Sequence, residues 1–212
     1  MKGILGKKVG MTQIFSEAGE MIPVTVIEAG PVAVTQIKTV ETDGYYGVQI
    51  GFEDKKESRT IKPEQGHFKK AGVPVKKYLA EFRPEEGDTY ELGQVISVAD
   101  FPEGTLLDIT GTSKGKGTQG NIKRNHHARG PMTHGSKHKR LPGGLAASTY
   151  PSRVFRGRPA PGRTGRDTVT VQNLKLVKVI EDRNLMLVKG AVPGNKGGLL
   201  RIRFAVKGQE AK

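Results

Sequence analysis

The chemically equipped residues of this chain crowd between Gly111 and Arg166. Gly115-Lys116-Gly117-Thr118-Gln119-Gly120 has G-x-G-x-x-G spacing. After a strand and at the head of a helix, that spacing lets backbone N–H groups approach a dinucleotide pyrophosphate. Such a site also needs an acidic residue about twenty positions on to hold the ribose. No Asp or Glu occurs from Ile109 to Arg166. Gly111-Thr112-Ser113-Lys114-Gly115-Lys116 approaches a P-loop, but the spacing is one residue short and Gly117 stands where a hydroxyl should meet magnesium. Neither motif reads as a nucleotide site. Their glycines and lysines still present N–H groups and ammonium charges to phosphates.

His126, His127, His134 and His138 fall in the same stretch and raise a metal reading. The chain has no cysteine and this stretch no carboxylate, whereas structural zinc usually wants thiolates. Imidazoles that stack on unpaired bases or bond phosphates suit the surroundings better. Ser113, Ser136, Ser148 and Ser152 have histidine neighbours in sequence but no local carboxylate to orient a triad. No catalytic residue, metal site or cofactor is assigned, and the chain is read as a non-enzyme with no small-molecule substrate.

Charge decides what the stretch does. The chain has 35 Lys and Arg against 21 Asp and Glu, a formal net of +14. Thirteen of these cations lie in residues 113–166: Lys114, Lys116, Lys123, Arg124, Arg129, Lys137, Lys139, Arg140, Arg153, Arg156, Arg158, Arg163 and Arg166. The rest of the chain then carries 22 basic against 21 acidic residues, so a nearly neutral body bears one cationic arm. A solvated face would mix its signs, but an acid-free run repels itself and needs an external polyanion to become ordered. Arginines grip phosphates bidentately or stack on bases, and lysines act as point charges. RNA contact is assigned to these thirteen residues, with Asn125, His126, His127, His134 and His138. With no helix for a major groove, a folded RNA suits the arm better than duplex DNA.

The elements around the arm read as mainly β. Short β-branched or alternating runs lie at 22–27, 32–37, 45–52, 95–98, 106–110, 169–179, 185–189 and 200–206. Leu200, Ile202, Phe204 and Val206 should share one face of the last strand, with Arg201 and Arg203 on the other. Many short strands with Gly/Pro turns argue for a small β-barrel of residues 1–112 and 167–212, with a partly helical insert at about 62–84. Residues 113–166 interrupt it as a long irregular basic loop. Its eleven glycines, counted from Gly111, and five prolines should deny it helix and sheet. If it runs out and back, its upper reach is roughly 90 Å. No run approaches the roughly 18 apolar residues of a membrane span, the start does not read as a signal peptide, and the absence of cysteine suits a reducing cytosol.

Several segments then converge on one family. Gly6-Lys7-Lys8-Val9-Gly10-Met11-Thr12, Thr110-Gly111-Thr112-Ser113-Lys114-Gly115-Lys116-Gly117, Val154-Phe155-Arg156-Gly157, Val169-Thr170-Val171-Gln172-Asn173-Leu174 and Gly190-Ala191-Val192-Pro193-Gly194 resemble the bacterial large-subunit ribosomal protein L three family, almost end to end. The resemblance implies a translation-factor-like barrel and an internal loop that penetrates 23S ribosomal RNA toward the peptidyl-transferase centre. It further implies early action in subunit assembly, a cytoplasmic location in the ribosome, and ribosomal proteins L fourteen and L nineteen as neighbours. The family often carries a Trp near the first turn of the arm, where this chain has Asn125 and no Trp at all. Some members methylate a Gln where this chain has Ala147, so no such modification is predicted.

Overall fold

Period-two patterning with short turns should give strands, and the computed structural model, which describes residues 3–84 and 88–207, is built mainly of them. Residues 1–2, 85–87 and 208–212 of the expected body lie outside the described residues. The chain divides into two compact units, one running to Thr112 and resuming at Thr168, the other Ser113–Asp167. The first contains β1 (Gly3–Phe15), β2 (Met21–Ala29), β3 (Val32–Lys38), α1 (Val40–Asp43), β4 (Gly47–Asp54), α2 (Lys62–Ala71), β5 (Lys76–Phe82), β6 (Val95–Ile96) and β7 (Leu106–Thr112). The second holds β8 (Gly117–Gln119), α3 (Asn121–Asn125) and β9 (Gly162–Thr164). The first then resumes with β10 (Thr168–Ile180), β11 (Leu185–Lys189) and β12 (Leu199–Phe204).

Six strands close an antiparallel barrel in the order β1-β12-β7-β10-β11-β2. Closure removes the open edges that a small sheet would expose. Ile4, Ile27, Leu107, Ile109, Leu176, Met186 and Ile202 point inward and are fully buried. β12 pairs with β7 so that Ile202 lies opposite Ile109 and Arg201 opposite Thr110. The expected inner face of β12 is one residue too long, because the strand ends at Phe204 and Val206 is exposed. β1 escaped the sequence reading, since Gly3, Gly6 and Gly10 interrupt its apolar pattern. Gly6 serves a close approach: a Cβ there would come within 2.9 Å of both the Glu28 carbonyl oxygen and Ile27 Cγ2.

The second sheet runs β5-β4-β3-β6 and buries Val32, Val34, Val48, Ile50 and Phe52. The expected insert at 62–84 is helical only over Lys62–Ala71. Gly72 ends the helix in the left-handed region (φ +67), and Pro74 prevents its resumption. The rest of the insert becomes β5, paired with β4, with Tyr78, Ala80 and Phe82 packed on the core.

Ion pairs stitch this sheet on its polar side. Lys38 Nζ lies 2.9 Å from Glu81 Oε1 and donates to Tyr45 Oη at 2.7 Å, and the tyrosine donates to Glu81 Oε2 at 2.8 Å. Hydrogen bonds from Lys38 and then Tyr45 hold the Glu81 carboxyl below its usual value, and Lys77 does the same for Glu53. Both glutamates therefore stabilise the fold above their unfolded value of 4.5, a contribution lost as pH falls through the lower folded values. Tyr45 and Glu81 raise Lys38, whose contribution is present below 10.5 and fades only as pH rises past its raised folded value. Thermal melts of the wild type should fall in midpoint below about pH 4.5, and Glu81→Gln should flatten part of that fall. Identical acid profiles for the two proteins would remove Glu81 from the account.

Candidate nucleic-acid interface

The basic unit is closed at its base by its own backbone. β8 and β9 pair as Gly117↔Thr164, Thr118↔Arg163 and Gln119↔Gly162. Lys116 N–H donates to the Thr164 carbonyl at 2.9 Å, Ser113 N–H to the Asp167 carbonyl at 2.9 Å, and Asp167 N–H to Ser113 Oγ at 3.1 Å. Glycine and proline were expected to deny this segment regular structure, and at the base they do not. Gly117 and Gly165 have φ of +69 and +75, and a Cβ on Gly165 would collide with the Lys114 carbonyl. Here glycine permits the ladder by removing that clash.

The five-residue α3 follows directly on Gly120. Gly117 of the G-x-G-x-x-G run lies in β8, so this run builds a hairpin strand instead of a phosphate loop. Asn121 is buried and donates from Nδ2 to the Pro159 carbonyl at 3.5 Å. Asn125 Nδ2 donates to Asn121 Oδ1 at 3.2 Å and to the Ala160 carbonyl at 3.1 Å, and Arg124 reaches the same carbonyl at 2.9 Å. Asn125, expected as an RNA contact, is thus half-buried and tied to the returning chain. Between Asn125 and Gly162 no helix or strand forms.

All the assigned RNA-contact residues except Asn125 and Arg158 are exposed. Arg158 donates to the Gly144 and Leu145 carbonyls. Arg153 lies over the Phe155 ring, 5.8 Å from its centroid. Among the described residues, none of the thirteen arm cations forms an ion pair. The acid-free sequence thus becomes an uncompensated positive surface, the field that attracts a polyanion. The histidines do not gather: among the described residues no group of three or more His, Asp or Glu could hold a metal ion. No described helix is long and apolar enough to cross a membrane.

Sequence reasoning placed no site on the barrel unit. The structure gathers three of its arginines, Arg83, Arg201 and Arg203, around one cleft. Alternation along β12 puts two of them on one face, but Arg83 joins them only through the pairing of distant strands.

With this geometry in place, comparison with known proteins is specific. A model of the family described as "Ribosomal protein L3" matches residues 86–184, which include the whole basic segment. Large ribosomal subunit protein uL3 of Natranaerobius thermophilus is 59% identical over 206 residues, 97% of this chain and 98% of the relative. The uL3 of Carboxydothermus hydrogenoformans is 57% identical over 208 residues, 98% and 99% of the two chains. That of Finegoldia magna is 56% identical over 207 residues, again 98% and 99%.

Proposed function

Because the chain belongs to the ribosomal protein L3 family, we propose that it is a structural, non-catalytic component of the large ribosomal subunit that binds 23S ribosomal RNA through residues 113–166. The observation that carries this reading is that twelve of the arm's thirteen cations are exposed, and that none of the thirteen forms an ion pair among the described residues. Buried charge is paired and solvated charge is mixed in sign, so a one-signed surface is made for a partner of opposite sign. RNA phosphates supply that charge at high density.

Roles within the arm divide by geometry. Lys114, Lys116, Lys123, Arg129, Lys137, Lys139, Arg140, Arg153, Arg156, Arg163 and Arg166 meet phosphates or bases. His126, His127, His134 and His138 offer stacking surfaces and donors to unpaired nucleotides. Arg124, Asn125 and Arg158 brace the arm through its own carbonyls while keeping their edges available. The irregular tip threads between RNA helices toward the peptidyl-transferase centre and folds into the particle early in its assembly. Ribosomal proteins L fourteen and L nineteen are its neighbours there, in the cytoplasm.

Three measurements test this reading. The chain should sediment with large subunits from a lysate and leave that fraction after RNase treatment. Its affinity for a 23S fragment should fall with salt at a log–log slope of about −4 to −5 if six phosphates are neutralised. One defined RNA region should be protected from cleavage. Salt-independent association, or protection spread evenly along the RNA, would sink the proposal, the latter in favour of a nonspecific chaperone.

A further inference from the structure

We propose that the barrel unit carries a phosphate seat of its own, in which Arg83, Arg201 and Arg203 with the hydroxyls of Thr110 and Thr170 hold a phosphoryl group. That group belongs to an RNA backbone or is free in solution. The inference goes beyond the arm reading and does not depend on it.

The seat is built from strand register. Arg201 on β12 lies opposite Thr110 on β7, and Thr110 lies opposite Thr170 on β10, so the three side chains form a row across neighbouring strands. Arg203, two residues along β12, shares the outward face of Arg201. The end of β5 brings Phe82 and Arg83 to the same cleft, an open space of about 430 Å³.

Arg201, Thr110, Thr170 and Arg203 are each prepared for an anion. The Arg201 guanidinium stacks on Phe82, 5.1 Å from the ring centroid, and its Nη2 donates to the Glu81 carbonyl at 2.7 Å. Fixing a long side chain in advance lowers the entropic cost of binding. Thr110 Oγ1 and Thr170 Oγ1 are 2.8 Å apart. One hydroxyl hydrogen serves that contact and the other is left to donate elsewhere. Arg203 Nη2 reaches Asp108 Oδ2 at 3.5 Å, while its Nε is buried with no hydrogen-bond partner, alone among such side-chain atoms of the described residues. A buried donor without an acceptor is costly, and an incoming phosphoryl oxygen would relieve it.

On the β12 side the described acids nearby do not cancel the charge. The Glu81 carboxylate is engaged by Lys38 and Tyr45. Asp108 is buried and accepts the Asn173 N–H at 3.1 Å as well as facing Arg203. Asp108 pairs with Arg203 alone, and Arg201 is held by a backbone carbonyl and a ring, so two guanidiniums stand against one carboxylate and the β12 side of the cleft is net positive.

The test uses the full chain and two probes, inorganic phosphate and a mixed-sequence RNA of about twelve nucleotides, a length chosen to span several phosphates. The guanidinium Nε–H resonances of Arg201 and Arg203 are followed by ¹⁵N NMR. We expect both to shift on RNA addition. In Arg83→Ala/Arg201→Ala the log–log salt slope for RNA should fall by about one unit, for the one phosphate that the seat no longer neutralises. Thermal melting reports whether that variant folds, and Arg201→Lys, which keeps the charge without the planar fork, should retain only part of the response. A shift with inorganic phosphate alone also supports the seat and identifies a free anion as its occupant. If neither probe moves the two resonances while arm resonances respond to RNA, the proposal is overturned. A wild-type slope near zero with Arg201 still responding to phosphate would instead remove the arm reading and leave the seat.

Discussion

Replacing Arg129, Lys137, Lys139, Arg140 and Arg156 together by glutamine should weaken binding to 23S ribosomal RNA by about a hundred- to a thousand-fold at physiological salt, roughly half a decade for each phosphate that is no longer neutralised. All five are exposed, and none forms an ion pair among the described residues. Glutamine is shorter but keeps a polar, hydrogen-bonding end, so the main change is the loss of charge. Among the described residues no side-chain hydrogen bond or ion pair of these five holds the arm, and the barrel unit should melt at an unchanged temperature. The log–log salt slope should become shallower by about four units. Titration of a labelled RNA domain at several salt concentrations measures both quantities. Unchanged affinity and slope would move the RNA interface off the arm. Asn125→Ala should act differently, loosening the return strand near Ala160 and lowering affinity with little change in slope, because no charge is removed.

Phe101→Ala should cost about 3–5 kcal/mol of stability, the range for deleting a buried aromatic ring. Phe101 is 2% exposed and stacks on Phe204 of β12, with centroids 4.9 Å apart and planes 15° from parallel. For a chain of this size the loss corresponds to a drop in melting temperature of roughly 6–20 °C. Phe155→Ala is the natural control, because that ring is 56% exposed in the arm, and it should leave the transition within about 0.5 kcal/mol of wild type. A small effect at Phe101 would mean that the cavity collapses or that the cluster is not a packed core.

Phe101 also marks where the sequence stops being informative. The apolar run at 95–98 suggested a strand, but β6 ends at Ile96 and Ser97 caps a short helical turn, its Oγ accepting from Ala99 N–H at 3.2 Å. That turn delivers Phe101 to the core, and an isolated aromatic beside Pro102 carries no periodic signal of such a destination. The site divides in the same way. The arm was legible because charge is a property of composition and survives any fold. The bracing role of Asn125 was not, since its partners Asn121 and Ala160 lie on two segments that meet only through the β8–β9 ladder.

By itself the sequence determined that most of the body is strand, because β-branched residues alternating with polar ones bury one face only when extended. It determined equally that residues 113–166 carry thirteen cations with no carboxylate among them to neutralise the charge. Only the tertiary structure decided which strands pair. Alternation assigns each residue a face but no neighbour, and the order β1-β12-β7-β10-β11-β2 pairs β1 with β12, β12 with β7 and β11 with β2, strands that are far apart in the chain. It turned the second half of the insert into β5, where pairing with β4 outweighed a helical reading of 76–82. It also set Arg83 beside Arg201 and Arg203. The physical reason is common to all three: hydrophobic period is local, while hydrogen-bonded pairing and burial are set by residues that the chain brings together from a distance.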